Sequence, residues 1–267
     1  MNASVDSMNA EPVLLREDHD GIATLTLNRP AQYNALSEEL MSALQAQLDD
    51  IGADDSLRVV IIAANGKAFC PGHDLKEMRS SEDRAFHQAL FDKCSRMMLT
   101  INKLRQPVIA RVNGVATAAG CQLVANCDLA VAASEARFAV SGINLGLFCS
   151  TPAVPLSRNM HRKQAMQMLL TGDFIDAETA MQYGLVNEVV PGDELDSATL
   201  ALAGKIAARS AHSIALGKEM FYRQLEMDLS EAYAFASERM ACNMDSHDAR
   251  EGIDAFFEKR RPEWKDR

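Results

Sequence analysis

The chain has 267 residues, 48% hydrophobic and 24% charged, a size and balance that suit one globular core with a helical appendage. Its 37 acidic against 27 basic residues give a net charge of −10, which excludes nucleic acid as a partner because a phosphate backbone needs a basic face. A small anionic ligand needs only a few local Lys or Arg side chains, so that class stays open.

No apolar run approaches the roughly 20 residues of a membrane span, so no membrane association is expected. The six cysteines form no C-x-x-C pair and no zinc-ligand spacing, and no metal site is expected from them. They read as small core residues of a reduced protein, which points to a cytoplasmic location. The opening segment MNASVDSMNAEPVLLRE lacks a basic stretch followed by an apolar one, so neither a signal nor a transit peptide is expected. Residues 1–12 are expected to form a disordered tail.

In chain order, GIATLTLNRP alternates Ala23, Leu25 and Leu27 with Thr24 and Thr26, a strand pattern closed by Pro30. Ser37 is placed to cap a helix whose first turn holds Glu38 and Glu39 and whose stripe is Leu40, Leu44, Leu48 and Ile51. RVVIIAANG over 58–66 reads as a buried parallel strand. The spacing of Phe86, Leu90, Cys94, Met97, Ile101 and Leu104 predicts a helix over 82–104. PVIARVNG (107–114) and LAVAAS (129–134) read as strands, with a helix from about residue 118 between them. This β-α-β-α-β-α-β order predicts parallel strands joined by right-handed crossovers. Beyond about residue 150 the pattern turns helical. Asp176 and Gly184 bound one helix, 185–191 is a short strand, and three helical segments fill 193–259, the last carrying Ile253, Phe256 and Phe257.

Two segments share one design. KAFCPGHDLKEM (67–78) and NGVATAAGCQLVANCD (113–128) each run strand, small-residue turn, helix. Such a turn leaves backbone N–H groups free at a helix start. Two of them aimed at one point would hold a developing oxyanion, at about 3 kcal/mol for each donor. The alternative is that Gly72 and Gly120 only permit tight turns and packing.

These segments, with NRPAQYNALSEELM, ARFAVSGINLG, MLLTGDFIDAETAMQYGLVNEVVP and FFEKRRPEWK, stand in an order that resembles the crotonase superfamily, the enoyl-CoA hydratase/isomerase family, over about residues 20–265. The forms of 114–128 and 146–152 further resemble one subgroup within it. The resemblance implies an α/β crotonase fold of the ClpP/crotonase type: a spiral of β-β-α turns over 13–200, then a helical trimerising region over 201–267. It implies an acyl-CoA or enoyl-CoA thioester as substrate, coenzyme A entering as part of that substrate with no separate cofactor, and a homotrimer or dimer of trimers. The oxyanion donors it implies are the N–H groups of His73 and Ala119. Gly72, Gly120 and Lys76 fall at its CoA-binding positions, and Lys259 matches a lysine that reaches the CoA of an adjacent protomer.

Two departures bear on the reaction. A hydratase of this family uses two glutamates, and their positions hold Gln122 and Gly142 here. Gln122 can hydrogen-bond a water but cannot take its proton, and Gly142 offers no side chain. Ser141, Asn144, Cys149 and Ser150 fall along the implied pocket wall, and His73 beside the donors titrates near neutrality. The readings left open are an acyl-CoA enzyme of the lyase or isomerase type with a chemistry other than efficient hydration, a non-catalytic acyl-CoA-binding or regulatory protein of the same fold, and an assembly partner.

Overall fold

The structure, a computed structural model, describes residues 11–267. The expected disordered tail lies outside the described residues except for Glu11 and Pro12, which have no regular structure. Strand β1 (Leu14–His19) turns through Asp20-Gly21 into β2 (Ile22–Leu27), its antiparallel partner. β1 is an edge strand that carries Arg16, Glu17 and Asp18, the charges that protect an edge.

Next come α1 (Glu38–Ala53), β3 (Val59–Ala64), β4 (Ala68–Cys70), α2 (Leu75–Arg79), α3 (Arg84–Lys103), β5 (Val108–Val112), β6 (Val115–Thr117), α4 (Ala119–Asn126), β7 (Leu129–Ala133) and β8 (Arg137–Ala139). Then follow α5 (Ser150–Asn159), α6 (Arg162–Thr171), β9 (Ile175–Asp176), α7 (Ala177–Gln182), β10 (Glu188–Val190), α8 (Leu195–Ala207), α9 (Ala211–Gln224), α10 (Leu229–Met244) and α11 (His247–Glu258). The predicted caps are made: Ser37 accepts from the Leu40 N–H at 3.2 Å and Asp176 from the Thr179 N–H at 2.8 Å.

Two sheets result. The larger has the order β1-β2-β3-β5-β7-β10, parallel from β2 onward. The smaller has the order β4-β6-β8-β9, parallel except for β9. Consecutive strands enter the larger and then the smaller sheet, and a helix closes each turn, as in β5-β6-α4. This is the β-β-α spiral of the crotonase fold.

The period of two along β3 sorts its fully buried run between two layers. Val60 and Ile62 face the main core with Leu25, Leu27, Val108 and the stripes of α1 and α3. Val59, Ile61 and Ala63 face the other way, where Leu195 and Ala203 of α8 cover them. The expected boundary at residue 200 therefore falls inside α8, a helix packed on the sheet. Four helices, not three, fill the C-terminal third, because the breaks before α9, α10 and α11 carry only the capping residues Ser210, Asp228 and Ser246. Phe86 is half-buried rather than part of the core stripe of α3.

One charged cluster ties α9 to the spiral. Lys218 donates to Asp128 at 2.6 Å and to the carbonyls of Ile101 and Gln106 at 2.9 and 3.0 Å. Asp128 also accepts from the Tyr222 hydroxyl and the Val108 N–H, so both oxygens of this partly buried carboxylate are partnered. Among the described residues no helix is long and apolar enough to cross a membrane.

Candidate functional site

The two strand–turn–helix segments meet because the smaller sheet sets β4 beside β6. Three contacts lock their turns together. The Thr117 hydroxyl donates to the Pro71 carbonyl at 2.8 Å. A Cβ built on Gly120 would collide with the Cys70 carbonyl, so only glycine allows this approach. Gly72 has φ +105°, and a Cβ there would lie 2.9 Å from the Ala118 Cβ and 3.1 Å from the Ala119 nitrogen.

Residue 73 is turned by a short parallel bridge to residue 36. The Leu36 N–H donates to the Gly72 carbonyl at 2.8 Å, and the Asp74 N–H donates to the Leu36 carbonyl at 3.1 Å. The peptide groups flanking residue 73 are thus spent on Leu36, and the His73 N–H points to the opposite side. Ala118, with φ 47° and ψ −120°, turns the chain into α4 and leaves the Ala119 N–H at the helix start. Neither amide has a protein acceptor among the described residues.

His73, Ala118 and Ala119 line a cavity of about 700 Å³. Its other walls come from the 31–35 turn, from α2 and α3 through Leu75, Lys76, Met78 and Phe91, and from Ser141, Gly142 and 145–152. The arginine of the NRP motif braces this wall: Arg29 donates to the Ala35 carbonyl at 2.6 Å and to Asp74 at 3.3 Å. Asn34, fully buried, donates to the carbonyls of Asn65 and Ala68. Asp74 also caps α2 through the Lys76 N–H. Thr117 and Asn34 escaped the sequence reading; small polar residues at turn junctions carry no periodic signal.

The site is nearly free of ionisable chemistry. Burial pulls the His73 imidazole down from 6.5 to about 4, so it is neutral at physiological pH. Its ring stands edge-on to Phe91, centroids 5.4 Å apart, and its Nε2 has no partner among the described residues. Burial also pushes the Cys149 thiol up, against a weaker opposing effect of the Gly142 N–H, so this thiol stays protonated. Gln122 lies one turn along α4 from Ala118 and Ala119, is buried, and its Oε1 has no partner among the described residues.

Gly142 is closed to any side chain, since a Cβ there would lie 2.7 Å from the Cys149 Sγ and 2.8 Å from the Leu147 carbonyl. Lys76 stands exposed on the cavity wall. Gly72 and Gly120 do not line the cavity; they bring the two turns together behind it. Lys259, at the C-terminal cap of α11, is exposed and lies outside this cavity.

A fold of β-β-α turns with paired free amides over an apolar cavity defines the crotonase class. A family model described as enoyl-CoA hydratase/isomerase matches residues 17–267, and the chain belongs to that family. Rat enoyl-CoA hydratase domain-containing protein 3, mitochondrial, is 46% identical over 92% of this chain and 82% of its own length. The 2,3-dehydroadipyl-CoA hydratase of Escherichia coli (strain K12) is 34% identical over 92% of this chain and 96% of its own.

Among solved structures, an enoyl-CoA hydratase from Mycobacterium smegmatis superposes with a TM-score of 0.94 at 56% identity, covering 95% of this chain and 99% of that one. Human enoyl-CoA hydratase domain-containing protein 3 gives 0.92 at 45% identity, covering 94% and 100%. The domain-containing protein 3 subgroup is the one that 114–128 and 146–152 resemble. Its members from rat, mouse, frog, human and zebrafish are all named mitochondrial, which overturns the expected cytoplasmic location. Reduced, buried cysteines report a reducing environment and do not distinguish one reducing compartment from another.

Two predictions follow from the geometry of this site. Ala118 holds a positive φ that an L side chain resists, so Ala118→Gly is expected to stabilise the fold by about 1 kcal/mol. A thermal melt that shifts down would contradict this. For His73, the unfolded chain takes up a proton near pH 6.5 and the folded chain only near 4, so acid favours unfolding across that window. The urea midpoint should therefore drop further between about pH 7 and about pH 4.5 for the parent than for His73→Gln. Equal drops would mean that the imidazole is not held neutral.

Proposed function

We propose that this chain binds acyl-CoA thioesters with the thioester carbonyl oxygen between the His73 and Ala119 amides, and that it does not hydrate enoyl thioesters efficiently. The observation that carries the reading is the pair of unpartnered main-chain donors at the wall of one apolar cavity. Such donors polarise a carbonyl in a dry site, where the attraction far exceeds its value in water. Lys76 serves the CoA phosphates from the cavity edge, and Lys259 reaches the CoA adenine region of a neighbouring copy.

Hydration also needs one group to take a proton from water and one to give a proton to carbon. Gln122 does neither at neutral pH. At residue 142 the thiol of Cys149 and the carbonyl of Leu147 fill the place a carboxylate would need. The same two features favour a second reading, a non-catalytic acyl-CoA-binding protein of this fold. Association into trimers, or dimers of trimers, fits the outer faces of α9 to α11, where Phe221, Leu229, Tyr233, Phe256 and Phe257 are exposed.

Calorimetry with acyl-CoA esters is expected to show binding, while crotonyl-CoA is hydrated no faster than by a protein-free control. Gln122→Glu with Gly142→Glu is expected to add no hydration, because the second change must displace a backbone carbonyl. The reading fails if no acyl-CoA binds, or if the parent hydrates crotonyl-CoA efficiently. A second expected outcome is sedimentation as a trimer or hexamer; a monomer at micromolar concentration would remove the assembly.

A further inference from the structure

The glycine that denies the site its second carboxylate also shapes the cavity mouth. The chain leaves Gly142 through a short 3-10 helix, Ser141–Leu145, and comes straight back: the Leu147 N–H donates to the Gly142 carbonyl at 3.0 Å. The return passes where a side chain at residue 142 would stand, with the Leu147 carbonyl 2.8 Å from that point. This fold-back sets Leu145, Leu147 and Phe148 along the cavity wall, where Leu75 of α2 joins them. All four are large apolar side chains left between 46% and 63% exposed. An exposed apolar rim continuous with a cavity marks a surface that a ligand covers.

The charges on the same wall are few. Asp74 is engaged by Arg29 and by the start of α2. His73 is neutral, leaving Lys76 as the one cation among the described residues that line the cavity. A carboxylate at the far end of an acyl chain would find no second cation and would lose its hydration against leucine and phenylalanine.

We infer that the 145–148 fold-back over Gly142 is an acyl-selectivity device: it directs the site to thioesters of uncharged aliphatic acids whose chain runs onto this rim, and away from those of dicarboxylic acids. This rests on the thioester reading above. The absent side chain at residue 142 and the apolar rim are then one structural change with two effects. Proton transfer is lost and chain recognition is gained.

The test is a set of dissociation constants for butyryl-, hexanoyl-, octanoyl- and adipyl-CoA on the full chain. Affinity should rise by up to about fourfold per added methylene, and adipyl-CoA should bind at least about tenfold more weakly than hexanoyl-CoA. Phe148→Ser should flatten the dependence on chain length while butyryl-CoA binding persists, which separates loss of the rim from loss of the fold. Leu147→Arg should narrow the gap between adipyl- and hexanoyl-CoA. Equal binding of the two six-carbon esters by the parent, or an affinity indifferent to chain length, overturns the inference and leaves the thioester reading intact. If none of the four esters binds, the thioester reading falls and this inference falls with it.

Discussion

The site depends on one main-chain contact, the seating of Gly120 against the carbonyl of Cys70. It joins the end of β4 to the start of α4 at a separation that no side chain allows. With the Thr117 hydroxyl on the Pro71 carbonyl, it fixes two turns that lie about 46 residues apart in the chain. Once they are fixed, the His73 amide has no strand to pair with and the Ala119 amide has no preceding helical turn. Both donors are left over from secondary structure, so their direction is set by backbone and not by rotamers. A preorganised donor of this kind costs no reorganisation when charge develops on a bound carbonyl.

On the reading proposed above, main-chain donors also explain how a chain can belong to this family without carrying glutamates at residues 122 and 142. The amides survive any side-chain change that leaves the turns in place, whereas a general base disappears with one substitution. Here Gln122 keeps the size and polarity of a glutamate without its titration, and Gly142 keeps nothing. Two titratable groups at the cavity, His73 and Cys149, are held in the wrong state for shuttling protons: burial keeps His73 neutral well below physiological pH and keeps the Cys149 thiol protonated. On the reading proposed above, a site with two donors, a neutral imidazole and Asp74 engaged by Arg29 polarises far better than it transfers protons.

Much of this was legible in the sequence where the signal is local. The buried run of β3, the stripe of α1 and the caps Ser37 and Asp176 show their roles within a turn or two of chain. Pro71-Gly72 and the small residues before Gly120 mark both turns. What escaped depends on partners distant in sequence. β1 hides behind Arg16, Glu17 and Asp18, because an exposed edge carries charges that dilute any alternation. The strands of the smaller sheet, such as Val115–Thr117, are too short for a period to register. Gly72 and Gly120 read as ligand-contacting residues, yet each faces the opposite turn. The unusual depression of the His73 titration is equally invisible in sequence, since it comes from burial of a ring that stands edge-on to Phe91, a residue distant in the chain.

On the readings proposed above, the fold-back at Gly142 links binding and reactivity through space. A side chain at that position and the return of the chain through Leu147 compete for the same volume. Restoring a carboxylate there means moving a backbone carbonyl and a buried sulfur, and with them the rim made by Leu145, Leu147 and Phe148. Close-packed interiors do not accommodate such a change by small adjustments. On the reading proposed above, the absence of an acid at this position is conformationally locked, and a reversal of sequence alone would not reverse the chemistry. Departures of this kind separate members of one family more durably than a single exchanged side chain does: Gln122→Glu changes a few atoms, while residue 142 commits the whole loop.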